Sequence, residues 1–552
     1  MNAPTAREIL EKFDRAYEFK RRIGLYDTVQ VNEDFFIGNQ WEGVQANGLP
    51  TPTFNILKQV VNFQVSTIAA SSIALRASPM PGVSCLESGE LEKITQILNR
   101  QYEAILERNH IVSKLRQFLR NAAVDGDGCM YFYFDPTVRN GQRVAGEIAA
   151  EVVENTRVHF GNPNCREVQK QPWILISRRE LVEEARRQAR ENRRLRRTDI
   201  LDAGAVKADS EKFQNKFDAY TDDKVTVCTY FYKNRDTGTV WCAEATEAGL
   251  LRTAYDTGYT LYPLVWLSWD YIQDCYHGQA MLTGLLPNQK FINKMFALVG
   301  ISLTTTAFPK IVYDKTRIRS WDGSVGTAVG VNGNVEGVAR TINASAVNPQ
   351  IAQFMELAID KTRSFLGASD VAMGDGRPDN TSAIIALQRA ANTPMEMTKQ
   401  NLYQCVEDMG RIFLDMMAVR YGVRRVEVRA GAEDPAEVME DFDFSRLRDV
   451  PVAIRQDAGA SAYWSEIASM QTIDNLLRSG HISLLQYLER VPSGYIVDKQ
   501  KLIDDLRAGG QPAAEPERGA EPPTELGLDE LPVTGGRGFT QLHRKLNEMG
   551  VS

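Results

Sequence analysis

The chain has 552 residues, of which 43% are hydrophobic, enough for roughly three or four domain-sized units with their own cores. Its 64 Lys and Arg residues are outnumbered by 71 Asp and Glu residues, which disfavours a basic protein that wraps nucleic acid by dense neutralisation of phosphates. The charged amino-terminal segment disfavours a signal peptide and no run has the ~18 apolar residues of a membrane helix. The seven scattered cysteines favour reduced thiols in a cytosol-like compartment.

The first half of the chain predicts helices followed by a sheet. Apolar residues at helical spacing predict helices at residues 7–23, 55–75 and 91–119, and residues 26–41 read as a short connecting segment. Runs of aromatic and β-branched residues predict strands at residues 129–136, 147–153, 158–160, 173–177, 225–232, 240–245 and 261–269. This order is typical of an α+β unit.

Three features of this half have competing interpretations. Residues 178–197 read as a helical run with nine arginines against four glutamates, either a phosphate-binding patch or a solvated helix on the outside of an assembly. Cys228 and Cys242 fall on the predicted hairpin at residues 225–245, where we expect buried free thiols rather than a disulfide. The third feature is an aromatic cluster that consists of Trp266, Trp269 and Tyr271. We expect it to lie in the hydrophobic core rather than to bind a ligand.

The second half predicts a module inserted between two helices. Residues 278–303 read as a helix, residues 309–313 as a strand, and the glycine-rich residues 315–348 as a small β-rich module. A second helix follows Asn348 and Pro349, which supply a cap and a first-turn proline. A loop rich in glycine and acid then precedes a long helix that ends near Tyr421, in which Pro394 predicts a kink.

The rest of the chain reads as short elements and a tail. Strands are predicted at residues 423–429 and 450–454, separated by the acidic residues 433–443. Helices are predicted at residues 464–477, 482–488 and 498–506. Residues 509–538 are rich in Gly, Pro and Glu and are expected to be disordered, with a short helix possible at residues 539–549.

The sequence carries no recognisable catalytic constellation. It has neither a P-loop nor an HExxH motif, and its five histidines are dispersed. Asp125-Gly-Asp-Gly lacks the later ligands and closing glutamate of a calcium loop, and is better explained as a turn before a strand. We therefore expect a protein without enzymatic activity, cofactor or metal.

Several local patterns in a fixed order resemble the portal proteins of tailed bacteriophages. Val124-Asp-Gly-Asp-Gly before an aromatic strand resembles the wing sheet of that family, and Leu285-Leu-Pro-Asn-Gln-Lys-Phe-Ile-Asn its first stem helix. Phe365-Leu-Gly-Ala-Ser through Asn380-Thr-Ser-Ala-Ile-Ile-Ala-Leu-Gln is similar to the second stem helix, the tunnel loop facing the channel and the kinked wing helix. Each pattern alone is weak, and it is their collinearity over residues 7–506 that supports the family.

The resemblance implies an α+β portal-type fold with a definite order of parts. The wing would comprise residues 1–277 and its return strands 422–462, with a long kinked wing helix at 381–421. The stem helices would be residues 278–307 and 349–366, on either side of a small α/β clip at 308–348, and the second would lead into the tunnel loop at 367–380. A helical crown at 463–508 and a disordered tail at 509–552, which matches no feature of the family, complete the chain.

The resemblance also implies a biological setting. It predicts a ring, usually of twelve copies, at the portal vertex of the virion, assembled in the host cytoplasm and forming the channel for DNA packaging and ejection. The implied partners are the terminase large subunit, the head–tail adaptor, the major capsid protein, a scaffold protein, and double-stranded viral DNA that passes without sequence-specific contacts. A role in initiating head assembly is expected as well.

Two groups of residues are the candidate sites, and each keeps an alternative. In the tunnel loop, the acidic side chains could repel DNA and so limit its binding, or they could simply favour turns and solvate the loop. The candidate residues of this loop are Asp370, Met373, Asp375, Arg377 and Asp379. In the clip, four cations could contact phosphates or a partner protein, or could simply be solvated. They are Lys310, Lys315, Arg317 and Arg319, with Trp321 beside them.

Two other classes of function compete with a portal ring. A different head–tail connector or scaffold protein would usually be shorter and would lack the inserted clip. A DNA-processing enzyme, such as the packaging motor or a nuclease, would need the phosphate loop or acidic site that the sequence lacks.

Overall fold

The computed structural model describes residues 3–45, 50–69, 74–80, 88–213, 223–307, 310–318, 320, 329–342, 349–364, 395–429, 437–457, 473, 476–479 and 482–490. The chain divides into two compact units, Met1–Ala462 and Tyr463–Ser552. In the larger unit, the described residues mix helices with small antiparallel sheets, as expected for an α+β protein. None of the helices in the described ranges is long and apolar enough to cross a bilayer.

Five helices open the chain: α1 (Ala6–Arg22), α2 (Leu25–Ile37), α3 (Ile56–Ala69), α4 (Ser88–Arg108) and α5 (Ile111–Asp125). A capping box starts α1, where the Thr5 hydroxyl accepts from the Glu8 N–H at 3.3 Å and the Glu8 carboxylate accepts from the Thr5 N–H at 3.1 Å. Gly24, with a φ of 69°, turns the chain between α1 and α2. The prediction of a short connecting segment at residues 26–41 was wrong, because most of it forms α2, which buries Leu25, Tyr26, Val29, Asn32 and Phe35.

The helix predicted at residues 55–75 is shorter than expected. It ends at Ala69, and strand β1 (Ala74–Pro79) takes up the last positions of the predicted range. β1 pairs antiparallel with β14 (Val452–Asp457), with Ala74 opposite Asp457. Because β14 lies far along the chain, the sequence around β1 gives no sign of the hydrogen bonds that favour a strand there.

Two antiparallel sheets follow the first helices. β2 (Asp127–Asp135) lies between β3 (Glu147–Val153) and β9 (Leu264–Ser268) in a three-stranded sheet. The five-stranded sheet runs in sequence order through β4 (Val158–Phe160), β5 (Trp173–Leu181), β6 (Lys224–Lys233), β7 (Val240–Thr246) and β8 (Gly249–Asp256). The sequence predicts all of these strands, including the β6–β7 hairpin, except β8, which it missed.

Details of the five-stranded sheet refine the sequence interpretation. The predicted helix at residues 178–197 was wrong at its start, because β5 continues to Leu181 and α6 spans Val182–Arg194. Cys228 lies opposite Ala245, and Cys242 lies opposite Phe231; both thiols are buried and free, as expected. Side chains of the sheet alternate, so that Cys228 faces α1 while Phe231 joins the main core.

The second half of the larger unit contains the predicted inserted module. Helix α7 (Met281–Ala307) precedes strand β10 (Lys310–Tyr313), which pairs with β11 (Ala339–Ile342) before α8 (Pro349–Ser364). Helix α9 (Glu396–Arg420) follows, then β12 (Val423–Arg429) and β13 (Glu437–Asp443), which pair with each other. The acidic residues 433–443 were predicted to separate two strands, but the last seven of them form a strand themselves.

The main core joins the two ends of the larger unit. Helix α9 buries one face against β9, β14 and the first helices, and the Phe413 ring meets the Phe132 ring edge-on at 5.0 Å. Trp269 is buried in this core as predicted, and Trp266 packs against it. Tyr271 is 61% exposed, so its assignment to the core was wrong.

In the smaller unit, helix α10 (Leu484–Arg490) begins within the helix predicted at residues 482–488 and ends two residues beyond it. The other predictions for this unit concern residues 464–477, 498–506 and 509–552. They lie wholly or mostly outside the described residues.

Candidate functional site

The start of α7 is fixed by a buried carboxylate. Asp127 is the first residue of β2. Its carboxylate accepts hydrogen bonds from the Ser268 hydroxyl at 2.8 Å and from the Gly278 N–H at 2.8 Å. The Nδ1 atom of His277 lies 2.7 Å from the other oxygen of this carboxylate. One side chain thus connects β2, the end of β9 and the segment that leads into α7.

A buried lysine lies beside this cluster. The Lys20 ammonium donates to three backbone carbonyls, those of Asn155 at 2.6 Å, Thr156 at 3.1 Å and Val158 at 2.6 Å. Burial holds the pKa of Lys20 well below its usual value, and the charge of Asp127 opposes that shift. Burial also lowers the pKa of His277, again against the influence of Asp127. The cluster therefore ties α1 to the same region as the start of α7.

Further along α7, amides anchor the helix to the segment between α2 and α3. Gln289 donates to the carbonyl of Phe54 at 2.7 Å and to the side chain of Asn293 at 2.8 Å. Asn293 donates in turn to the side chain of Gln40 at 2.6 Å. These buried amides fix this part of α7 against the segment between α2 and α3.

Beyond these anchors α7 leaves the core. Among the residues of α7 whose burial is described, Ala297 is the last buried one, and Leu298 to Thr304 are all at least partly exposed. Helix α8 packs alongside and has only two buried side chains among those described, Met355 and Thr362. The two helices form a pair, here called the helix pair, whose distal part is held mainly by its own contacts.

The helix pair exposes large apolar side chains. Phe291 is 42% and Leu298 50% exposed on α7, seven residues apart and so on one face. On α8, Phe354 is 52% and Leu357 51% exposed, and the rings of Phe291 and Phe354 meet edge-on at 6.0 Å. These four side chains are here called the apolar stripe; exposed apolar side chains grouped on one part of a molecule mark an interaction surface more often than ones scattered singly.

The inserted module at the end of the helix pair shows the same property. Ile311 and Val312 are neighbours on β10, so their side chains point to opposite faces of the β10–β11 hairpin. Both are exposed, at 38% and 55% respectively. A two-stranded hairpin is marginally stable in water unless something covers it.

A turn orders the residues after β10. The Asp314 carboxylate accepts from the Thr316 N–H at 2.9 Å and from its hydroxyl at 2.5 Å, and the hydroxyl bond in particular lowers the pKa of Asp314. Ile318 and Val338 are buried within the described part of the module.

The structure reaches part of the candidate clip residues. Lys315 is exposed and makes no hydrogen bond or ion pair within the described residues, while Arg317 is exposed and lies 3.5 Å from the Asp314 carboxylate. Lys310 lies at the start of β10. Arg319 and Trp321 lie outside the described residues, as do Pro394 and all five tunnel-loop candidates, Asp370, Met373, Asp375, Arg377 and Asp379.

The buried Ser268–Asp127–His277 set differs from a nucleophilic triad. In a triad the histidine stands between the serine and the acid, whereas here the acid binds both other side chains. Ser268 and His277 are also buried, which separates the hydroxyl from any substrate in solvent. Within the described ranges no group of His, Cys, Asp and Glu has the arrangement of a metal site.

Sequence reasoning missed the buried cluster because its members come from distant segments. Lys20 lies in a helix of alternating charge and Asp127 in a glycine-rich turn, and neither pattern differs from that of a solvated residue. The apolar stripe did have a signal, since Phe291 and Leu298 share the helical spacing of an apolar face, but spacing alone predicts burial rather than exposure.

Comparison with known proteins gives a family assignment. The family model described as "Phage P22-like portal protein" matches residues 10–440. No curated protein matches the chain significantly. The matched range includes β2, the helix pair, the inserted module and α9.

Proposed function

The chain belongs to the family of phage P22-like portal proteins, since the match at residues 10–440 covers more than half of its 552 residues, and from this premise we propose that it forms the ring through which phage DNA enters and leaves the capsid. The ring stands at the portal vertex of the virion and is assembled in the host cytoplasm from copies of this chain, usually twelve in the family. It acts as a conduit and has no catalytic role.

The proposed division of labour follows the order of the parts. Residues 1–277 and 422–462 form the wing, and residues 381–421 its long kinked helix. The helix pair is the stem, residues 308–348 form the clip, and residues 463–508 form the crown. The clip docks the terminase large subunit and later the head–tail adaptor, while the outer surfaces meet the major capsid protein and a scaffold protein during head assembly.

The exposed apolar stripe on the helix pair is the observation that carries the proposal. Covering a side chain such as Phe291, Leu298, Phe354 or Leu357, each exposed by between 42% and 52%, gains about 1 kcal/mol. Four such residues per subunit would contribute about 4 kcal/mol at each junction between neighbours. In a closed ring every subunit has two neighbours, so the stripe is covered in all copies.

The inserted module supports a docking role for the same reason. Ile311 and Val312 leave both faces of the hairpin partly uncovered. A neighbouring clip covers one face, and a docked partner the other. Lys315 adds a free positive charge within the described residues, which suits an acidic partner surface or a phosphate.

The tunnel loop is proposed to line the narrow part of the channel. Its three acids outnumber its single arginine, so the loop has a net negative charge that repels phosphates and lets DNA slide without sequence-specific contacts. Deleting residues 374–379 should leave ring formation intact and reduce packaging or retention of DNA. Genome-filled particles at the normal yield from this deletion would remove the assigned role.

Serine substitutions in the stripe test the assembly surface. Phe354→Ser together with Leu298→Ser removes about 2–4 kcal/mol from each junction, so the subunit concentration at half-assembly should rise by roughly 30-fold to 10³-fold. The fraction of rings is measured by mass photometry over a concentration series. Leu181→Ser with Leu195→Ser is the matched control, since these leucines are 56% and 54% exposed on β5 and beside α6.

The control variant should assemble like the unmodified chain. Equal assembly of the stripe variant and the control would show that the stripe is not the junction. A far-ultraviolet circular dichroism spectrum identical to that of the parent chain verifies that the stripe variant has folded.

A further inference from the structure

The end of α6 carries a cluster of arginines that the proposed conduit does not use. Arg190, Arg193 and Arg194 lie in the second half of the helix, and Arg196 and Arg197 follow it directly. All five side chains are exposed, and none makes an ion pair or a side-chain hydrogen bond within the described residues. Together they form what is here called the arginine cluster.

The arginines just before the cluster behave differently. Arg186 lies 2.8 Å from the Glu183 carboxylate, and Arg187 lies 2.6 Å from the Glu184 carboxylate. Arg179 at the end of β5 is paired with Asp209. Paired and unpaired arginines are thus separated along one helix, and all the unpaired ones are at its carboxyl end.

A merely solvated helix does not account for this separation. Between residues 190 and 197 the chain has five arginines and one acid, Glu191, which gives a local charge of +4 in a protein whose formal net charge is −7. Pairs four residues apart, such as Arg190 with Arg194, repel each other by a few tenths of a kcal/mol. A cation at the carboxyl end of a helix interacts favourably with the helix dipole by about 0.3–1 kcal/mol, and one or two cations are enough for this effect.

Arg196 adds a backbone cost to the repulsion. Its φ of 57° lies in the left-handed region, which costs an L-residue about 1 kcal/mol. Where α2 and α9 end, the left-handed position is occupied by glycine, at Gly38 and Gly422. At the end of α6 the chain places an arginine where glycine would be unstrained.

The backbone under the cluster is held in place. Asn192 donates its side-chain N–H to the carbonyl of Leu251 on β8 at 2.9 Å, and the carbonyl of Arg197 accepts from the Thr253 N–H at 2.7 Å. The Thr198 hydroxyl donates to the carbonyl of Leu250 at 2.5 Å. The five charges therefore project from a fixed edge of the five-stranded sheet.

We propose that the arginine cluster binds the phosphate backbone of double-stranded DNA, as a second DNA contact on a different element from the channel loop. The inference rests on the proposed function, which supplies viral DNA as the polyanion. Guanidinium groups bind phosphate oxygens with two parallel hydrogen bonds. Arg190 and Arg194 lie on one face of α6, roughly 6 Å apart along the helix, so both guanidinium groups can contact the same DNA backbone.

The salt dependence of DNA binding tests this inference. The full-length chain is titrated against a 60-base-pair duplex of random sequence at several salt concentrations, by fluorescence anisotropy. The test variant changes the five arginines of the cluster to glutamine. The control makes five equal changes at exposed arginines that are already ion-paired, namely Arg7, Arg21, Arg187, Arg411 and Arg446.

Each phosphate contact contributes about −0.9 to the slope of log K against log salt, so the test variant should lose about 4 from the magnitude of the slope. Its affinity at low salt should fall by roughly 10² or more. The control, with the same change in net charge, should keep its slope within about 1 of the unmodified chain. Equal slopes for the test variant and the control would overturn the inference.

An acidic protein is the alternative ligand, and the same titration includes it. Poly-L-glutamate that displaces the duplex at equal charge concentration would point to carboxylate partners and overturn the assignment to DNA. Ring formation is measured separately by mass photometry. Rings with unchanged DNA slopes would refute this inference alone, whereas DNA binding by the cluster without rings would refute the proposed ring alone.

Discussion

Replacing Asp127 by alanine should release the start of α7 from the body of the protein. The change removes acceptors for the Gly278 N–H, the Ser268 hydroxyl and the His277 ring. Each hydrogen bond to a charged group is worth about 1.5–3 kcal/mol, but the change also removes the cost of burying the carboxylate. Ser268 keeps a second acceptor, the carbonyl of Tyr276 at 3.1 Å. We therefore expect the free energy of unfolding to fall by about 3–5 kcal/mol.

Asparagine at the same position separates hydrogen bonding from shape. Asp127→Asn keeps an oxygen for the Gly278 N–H and the Ser268 hydroxyl, and its amide can donate to His277 if the ring proton moves to Nε2. The expected loss is about 1–2 kcal/mol, and Ser268→Ala should cost about 1 kcal/mol. Both are measured by urea unfolding at a fixed protein concentration, because assembly couples stability to concentration.

Amide hydrogen exchange locates the effect of the alanine variant. The Gly278 amide and the first turn of α7 should exchange faster, while α4 and the β6–β7 hairpin should keep their protection. An alanine variant within 1 kcal/mol of the parent chain would refute the role of Asp127 as the anchor of α7. Faster exchange spread evenly over the whole unit would refute its local nature.

Two further substitutions test packing inside the wing. Burial holds the pKa of His159 well below its usual value, and both of its ring nitrogens lack partners within the described residues. The unfolded state therefore gains a proton as pH falls below about 6.5 while the folded state does not, which costs up to about 1.4 kcal/mol per pH unit. His159→Phe should reduce the slope of stability against pH in urea-unfolding curves between pH 6.5 and 5, while His277, whose pKa burial also lowers, keeps its own contribution, and an unchanged slope would contradict the assignment. Gly410→Ala should lower the thermal midpoint, at a cost of about 1–2 kcal/mol, because the added methyl carbon would lie 2.6 Å from Ile454 and 3.0 Å from Leu75; a midpoint at or above that of the parent chain would show that β1 and β14 can shift away from α9.

Much of the larger unit can be predicted from its sequence because its elements have local signatures. The aromatic β2 and the β6–β7 hairpin combine β-prone residues with turn signals, and α1 has its capping box in the sequence. The misassigned segments owe their structure to strand pairing. β1 depends on the distant β14, and β13 is acidic on its own but pairs with the preceding strand, β12. Pairing with a neighbouring strand in the sheet overrides local composition in both cases.

The functional surfaces divide in the same way. The helix pair and the inserted module follow from period and glycine content, so the place of the candidate site could be found from sequence. The Asp127 cluster could not, because it unites residues from α1, β2, β9 and the start of α7 through tertiary contacts alone. The run of arginines could be found from the sequence. The structure shows in addition that β5 ends before α6 begins, and that the arginines early in the run are ion-paired whereas those at the end of α6 are not, within the described part of the chain.

The mass and shape of the purified protein test the proposed ring most directly. Charge-detection mass spectrometry should give a particle whose mass is a single integer multiple of the 61.9 kDa chain, at or near the twelve copies usual in the family. Negative-stain images of the same sample should show closed rings with a central opening. A 61.9 kDa monomer under all assembly conditions, or open filaments instead of rings, would contradict the account.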